Sequence, residues 1–233
     1  MWGNHREFLR MLRREPGRPT LFEPHPTRAI ATQLLWRGGD AMWDTVSHRV
    51  DTLIALYAYL RADTAVIPAD AASIGEVLEL SHKLPEEMRF TILTDDAAAL
   101  TAADASNAVC AIASACALSG GDFAKPVIFM AEDDAGIESA IRRGASGVHI
   151  PDSIEARYDT YGRHIALLGG LGICQLNSDS PAAIHRRIRA LHEQTGGVGY
   201  AIGTGSDGMT EANYLSFISM LGIFNNLVSE FRT

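Results

Sequence analysis

No stretch of the chain approaches the roughly 18 consecutive apolar residues that a membrane-spanning helix requires. The first residues also lack the apolar core and cleavage site of a secretion signal. Cysteine is scarce. Cys110, Cys116 and Cys174 are odd in number and have no paired spacing, which reads as free thiols in a reducing, cytoplasmic setting. Positive charge is in deficit, with a formal net charge of -8. A nucleic-acid surface needs the opposite sign to displace counterions from phosphates. Small anions are not barred, because one arginine or one helix N-terminus can hold them locally. No linker, low-complexity tract or charge block divides the chain, so residues 1–233 read as one domain. No Gly-x-Gly-x-x-Gly turn follows the first apolar run, which weakens a dinucleotide-binding open sheet as the alternative architecture.

What is present is 47% hydrophobic and 21% charged residues, enough for a sizeable core. The 233 residues suit a single α/β barrel, which typically takes about 250. Short apolar runs alternate with helix-period segments, the pattern of a parallel sheet whose strands need crossover helices. The runs are Thr20-Leu21-Phe22, Ala65-Val66-Ile67, Phe90-Thr91-Ile92-Leu93, Val127-Ile128-Phe129-Met130, Gly147-Val148-His149-Ile150, Ile165-Ala166-Leu167-Leu168 and Gly199-Tyr200-Ala201-Ile202. These seven predict a TIM-barrel-like (β/α) fold, one strand short of eight.

Between them, Trp43 to Leu60 carries Val46, Val50, Leu53, Ile54 and Tyr57 at the spacing of one buried helix face. Ser180-Pro181 opens a helix to about Gln194, and Gly196-Gly197 ends it. The Ala-rich stretch Ala97 to Leu118, with Cys110 and Cys116, reads as helix, and its thiols as small buried hydrophobes. His5 to Arg14 is basic and amphipathic, a helix within residues 1–18 that covers the lower end of the barrel.

Polar residues follow almost every run. They are Glu23, His25 and Arg28, then Asp70, then Asp95 and Asp96, then Glu132, Asp133 and Asp134. His149 and Asp152 come next, then Gly169-Gly170, then Gly203-Thr204-Gly205-Ser206-Asp207. In a parallel barrel these converge on one mouth. Individually the signals are plain: Asp96 and Asp134 read as helix N-caps, His149 as a packed histidine. The run Glu132 to Asp134 suits a helix start better than a divalent cation. The Gly-rich turns, with Gly169, Gly170, Gly205 and Ser206, either permit tight bends or cradle a phosphate.

Laid out in order, these segments resemble the uroporphyrinogen decarboxylase superfamily, which includes corrinoid-dependent methyltransferases. The likeness rests on Pro126-Val127-Ile128-Phe129, Gly144-Ala145-Ser146-Gly147-Val148-His149-Ile150 and Ile165-Ala166-Leu167-Leu168-Gly169-Gly170-Leu171. It continues through Ser180-Pro181-Ala182-Ala183-Ile184, Gly197 to Gly205 and Asn213-Tyr214. Arg6 to Phe22 and Ala65 to Asp70 extend it to about three-quarters of the chain.

The resemblance implies a decarboxylase or lyase acting without cofactor, or a ligand-binding barrel, for an anionic, tetrapyrrole-like small molecule, and a homodimer. Asp70 would be the catalytic residue, as the charge-stabilising or the acid/base group. Arg28 would anchor a carboxylate, with His25, Glu23, His149, Asp152, Gly169, Gly170, Gly205 and Ser206 lining the site. The chain also departs from the family. Pro24 stands where the first of two arginines is expected. Gly205-Ser206-Asp207 lacks the family's histidine, and Met130-Ala131-Glu132 and Gly205-Ser206 replace the methyltransferase zinc ligands, which implies no metal. The alternatives are a phosphate-binding barrel of the isomerase or aldolase type, and a non-catalytic accessory relative.

Overall fold

Eight short apolar segments form strands, and the amphipathic segments between them form the crossover helices. The computed structural model describes residues 3–24, 28–35, 43–114, 124–205 and 213–231, and only the backbone of Arg28 and Ala29. The order is α1 (His5–Leu12), β1 (Thr20–Leu21), α2 (Arg28–Leu35), α3 (Val46–Leu60), β2 (Ala65–Pro68) and α4 (Ile74–Leu80). It continues with β3 (Phe90–Leu93), α5 (Ala97–Asp104), β4 (Cys110–Ser114), β5 (Val127–Met130), α6 (Asp134–Arg142), β6 (Gly147–Ile150) and α7 (Ile154–Tyr161). The last elements are β7 (Ala166–Leu171), α8 (Ile173–Ser178), α9 (Pro181–Thr195), β8 (Tyr200–Thr204) and α10 (Tyr214–Glu230). Among the described residues no helix is long and apolar enough to cross a membrane.

All ladders are parallel, and the strand order is β1-β8-β7-β6-β5-β4-β3-β2. Sequential neighbours pair from β2 to β8, and β1 joins beyond β8, which is the cyclic order of a (β/α)8 barrel with one seam, between β1 and β2. The sheet is curled. Phe22, just after β1, and His149 of β6 have ring centroids 5.6 Å apart. Laid flat, those strands would stand three spacings apart, about 14 Å. This sequential order has no switch point and so excludes the open doubly wound alternative.

Side chains bridge the seam. Arg18, before β1, pairs with Asp63, before β2. Tyr57 of α3 donates its hydroxyl to the Glu23 carbonyl, after β1, and meets the backbone of Val66 in β2. Beneath the strands, α1 buries Phe8, Met11 and Leu12. Phe8 stacks on Phe22 at 5.6 Å, and Leu12 fills the space beside Gly147 at the start of β6.

Three sequence expectations need correction. The Ala-rich stretch is not one helix. α5 ends at Asp104, and Cys110–Ser114 is the eighth strand, paired with β3 and β5. Small residues carry little helix-breaking or strand-forming signal, so the place between two strands decides their state. Cys110 therefore lies in a strand, where burial pushes its thiol up to about 12; Cys116 lies outside the described residues. Next, Gly169 and Gly170 lie inside β7 and Gly203 inside β8, not in the turns that follow. Finally, Asp133 caps α6, accepting from the Gly136 N–H at 2.8 Å, whereas Asp134 is already helical and pairs with Arg157.

Other helix ends match their residues. Asp96 caps α5 through the Ala98 and Ala99 N–H groups. α3 starts at Val46 because Thr45 caps it, accepting from the His48 N–H at 3.1 Å, so Trp43 precedes the helix. Ser180 accepts from Ala183 with Pro181 in the first turn, and Gly196 ends α9 at φ 58°.

Candidate functional site

Register and alternation fix which side chains face the barrel interior. One tier runs Ser114, Met130, His149, Leu168, Ala201, Thr20 across β4 to β8 and β1. Pro68 and Leu93 lie on the same face of β2 and β3. The final residues of β2 to β5, Pro68, Leu93, Ser114 and Met130, are half-buried, while those of β6, β7 and β8 are fully buried. Among the described strand ends, those of β2 to β5 are thus the more exposed. Those of β6 to β8 adjoin a packed polar cluster.

That cluster is Glu23, Thr204 and His149, all essentially inaccessible to water. Glu23 accepts from the Thr204 N–H at 2.8 Å and from its hydroxyl at 2.7 Å, which prolongs the β1–β8 pairing by a side chain. The Thr204 carbonyl lies 2.9 Å from His149 Nε2. A carbonyl only accepts, so Nε2 carries the proton. Burial raises the Glu23 carboxyl to about 7 against the lowering effect of the two Thr204 bonds. Burial likewise holds Tyr57 and Tyr200 well above their ordinary range as neutral phenols.

Glycines make this cluster possible. A Cβ at Gly169, where φ is 82°, would stand 2.4 Å from the Thr204 carbonyl and 2.6 Å from His149 Nε2. One at Gly203 would meet the Phe22 carbonyl at 1.9 Å, and one at Gly205 the Pro151 carbonyl at 2.1 Å. Gly170, at φ 77°, packs against Ile154. These positions are occupied by close packing within and between strands.

Asp70 sits elsewhere on the rim. It is exposed, and its Oδ1 accepts from the Ser73 hydroxyl at 2.6 Å and the Ser73 N–H at 2.8 Å. The hydroxyl and then the N–H of Ser73 hold the carboxyl below its usual range. Asp152 is exposed and bound by Arg157, whose guanidinium lies 3.2 Å from Asp152 Oδ1 and 2.9 Å from Asp134 Oδ1. Asp95 accepts from the Ser114 N–H at 2.7 Å, tying the ends of β3 and β4.

Arg28 opens α2 next to the seam, but its side chain is not described. His25 and Ser206 lie outside the described residues. The structure thus joins Glu23, His149 and Gly169 directly, and Gly205 packs nearby on Pro151. Asp70 and Asp152 stand apart from them on the rim, each in its own local network.

The sequence places Thr204 within the Gly-rich segment after the last run but gives it no role of its own, whereas in the structure it links the two buried ionisable groups. Its only local signal was its place between Gly203 and Gly205. Arg157, Tyr57 and the half-buried strand-end residues carried no signal of a site, because their roles there depend on strand order. Glu132, Asp133 and Asp134 do not form a cation cage, and among the described residues no group of three or more His, Cys, Asp or Glu side chains converges.

Fold and rim together define an α/β, TIM-barrel-like protein. Its eight parallel strands carry a buried Glu–Thr–His cluster, and the final residues of β2 to β5 are half-buried. No protein-family model matches the chain, and no curated protein matches it.

Proposed function

We propose that this is a divergent uroporphyrinogen decarboxylase-like barrel, a cofactor-free lyase acting on a small carboxylated molecule that carries ring N–H groups. The observation that carries the reading is the set of strand ends on one face of the sheet: Pro68, Leu93, Ser114 and Met130 are half-buried there, and exposed Asp70 follows β2 beside them. Ser73 keeps the Asp70 carboxylate ionised and fixed. Such a preorganised anion accepts ligand N–H groups and stabilises positive charge that develops on a ring. Arg28, at the first turn of α2, is the anchor for the ligand's carboxylate. Asp70, Asp95, Asp133 and Asp152 also surround the rim. Their field favours a ligand with one or two negative charges over a polycarboxylated macrocycle.

Titration calorimetry with pyrrole-3-acetate, uroporphyrin and inorganic phosphate tests this. Heat is expected with the pyrrole acid, weakened roughly ten- to hundredfold in both Asp70→Asn and Arg28→Ala. Binding of phosphate alone would instead support an isomerase- or aldolase-type barrel. Affinity for the pyrrole acid indifferent to both substitutions would end the proposal.

A further inference from the structure

We infer that the outside of the barrel carries a separate binding site, a cleft between α3 and α10 that takes an amphipathic carboxylate with a hydrocarbon body. α3 leads into β2 and α10 follows β8, so the two helices flank the short β1 on the outer side of the sheet. The cleft between them has a volume of about 660 Å³. Small-molecule sites span roughly 300–1,000 Å³. Its α3 wall, Ala58 to Arg61, lies just ahead of β2, at the amino ends of the strands. It is therefore distinct from Asp70 and the carboxyl strand ends, and independent of the lyase reading.

Two residues of this cleft run against their local backbone preference. Gly222 stands in the middle of α10, where glycine is among the poorest helix formers. The chain's own packing does not require it, since among the described residues a Cβ there would meet nothing within 4 Å. Arg61 ends α3 in the left-handed region at φ 56°, a place usually given to glycine. Both choices make sense if the cleft must stay open at 222 and carry a cation at 61.

The lining sorts into an apolar body and one charged end. Leu60 and Leu221, both buried, form its deeper part, with half-buried Ile218 and the exposed ring of Tyr59 beside them. Covering these surfaces with hydrocarbon is favourable. Arg61 and Asn225 are exposed at the edge. The Arg61 N–H already serves the Tyr57 and Ala58 carbonyls that end α3, and among the described residues no carboxylate pairs with its guanidinium. A guanidinium matches a carboxylate in a planar two-bond fork. Charge complementarity therefore selects an amphiphile with a single anionic head over a cationic one of the same shape.

Calorimetric titration of the full chain with dodecanoate, below its micelle concentration, tests the site. Saturable binding is expected. Dodecyltrimethylammonium, which has the same chain and the opposite charge, should bind roughly tenfold more weakly or worse. Arg61→Ala should weaken dodecanoate roughly tenfold. Gly222→Leu, which places a side chain in the cleft, should weaken it at least as much while the melting temperature holds or rises, because leucine favours the helix. Failure of dodecanoate to bind, equal affinity for the two amphiphiles, or an affinity unchanged in either variant would overturn the inference. So would a dimer in light scattering that Gly222→Leu dissociates, because a second copy of the chain would then be what covers the cleft.

Discussion

Glu23 couples stability to pH in a direction opposite to that of a salt-bridged acid. Its folded-state carboxyl is raised from 4.5 to about 7, so folding takes up a proton between those values. The stabilisation is complete below about pH 4.5 and is lost as pH rises through 7, by about 3 kcal/mol in all. Glu23→Gln can keep a hydrogen bond to the Thr204 N–H and offer an amide to its hydroxyl. Urea melts at pH 5 and pH 8 should therefore show a stability loss in the wild type that is largely missing in the variant. Parallel slopes in the two proteins would mean that Glu23 does not titrate in this range. Gly169 supplies a second residue-scale expectation. Gly169→Ala should cost about 3 kcal/mol, because a left-handed backbone and collisions with Thr204 and His149 act together. Gly196→Ala shares the positive φ but meets nothing within 4 Å, and should cost only about 1 kcal/mol. Equal losses at the two positions would show that the His149 packing is soft.

At the scale of elements, the helices are set by end signals and the strands by their neighbours. α9 combines a Ser180 cap, Pro181, a face of Ile184, Ile188 and Leu191, and a left-handed Gly196. Ser180→Ala should lower stability by about 1 kcal/mol in thermal melts, while Ser178→Ala, outside that cap, should change it little. This helix was legible in advance because each signal is local. β4 was not. Cys110-Ala111-Ile112-Ala113-Ser114 contains small residues that a helix accepts as readily, and only the ladders to Thr91 and Val127 made it a strand. The same holds for Gly169 and Gly170. Glycine pairs usually mark turns, but here they let β7 bend around His149 while its pairing with β8 continues to Leu171.

The whole molecule depends on its seam. β1 has two residues in its ladder, and side chains do the remaining joining between β1 and β2. Asp63, fully buried, accepts from the Asn4 N–H at 2.7 Å and pairs with Arg18; its Oδ2 has no partner among the described residues. Burial raises the Asp63 carboxyl to about 6, against the lowering charge of Arg18. Arg18→Ala should therefore cost about 3 kcal/mol at pH 7.5, where an unpaired buried carboxylate remains. The loss should shrink toward pH 5, where Asp63 is neutral. Chemical denaturation at both values measures it, and a loss equal at both would mean that Arg18 acts through packing alone. Hydrogen exchange should also show β1 and α1 opening together in this variant, because Asp63 holds both.

By itself the sequence determined the class of the fold, since alternating apolar runs and amphipathic segments can bury their faces only as parallel strands with crossover helices. It also marked the polar residues at the strand ends, because those positions can be counted along the chain. Tertiary structure alone decided which of them meet. Glu23 and Thr204 are 181 positions apart and touch because β1 pairs with β8. Asp70, equally prominent in the sequence, turns back to Ser73 and remains on the rim. Local patterns specify the state of a segment, whereas the meeting of two distant side chains depends on strand order and register. These arise only when the whole sheet curls.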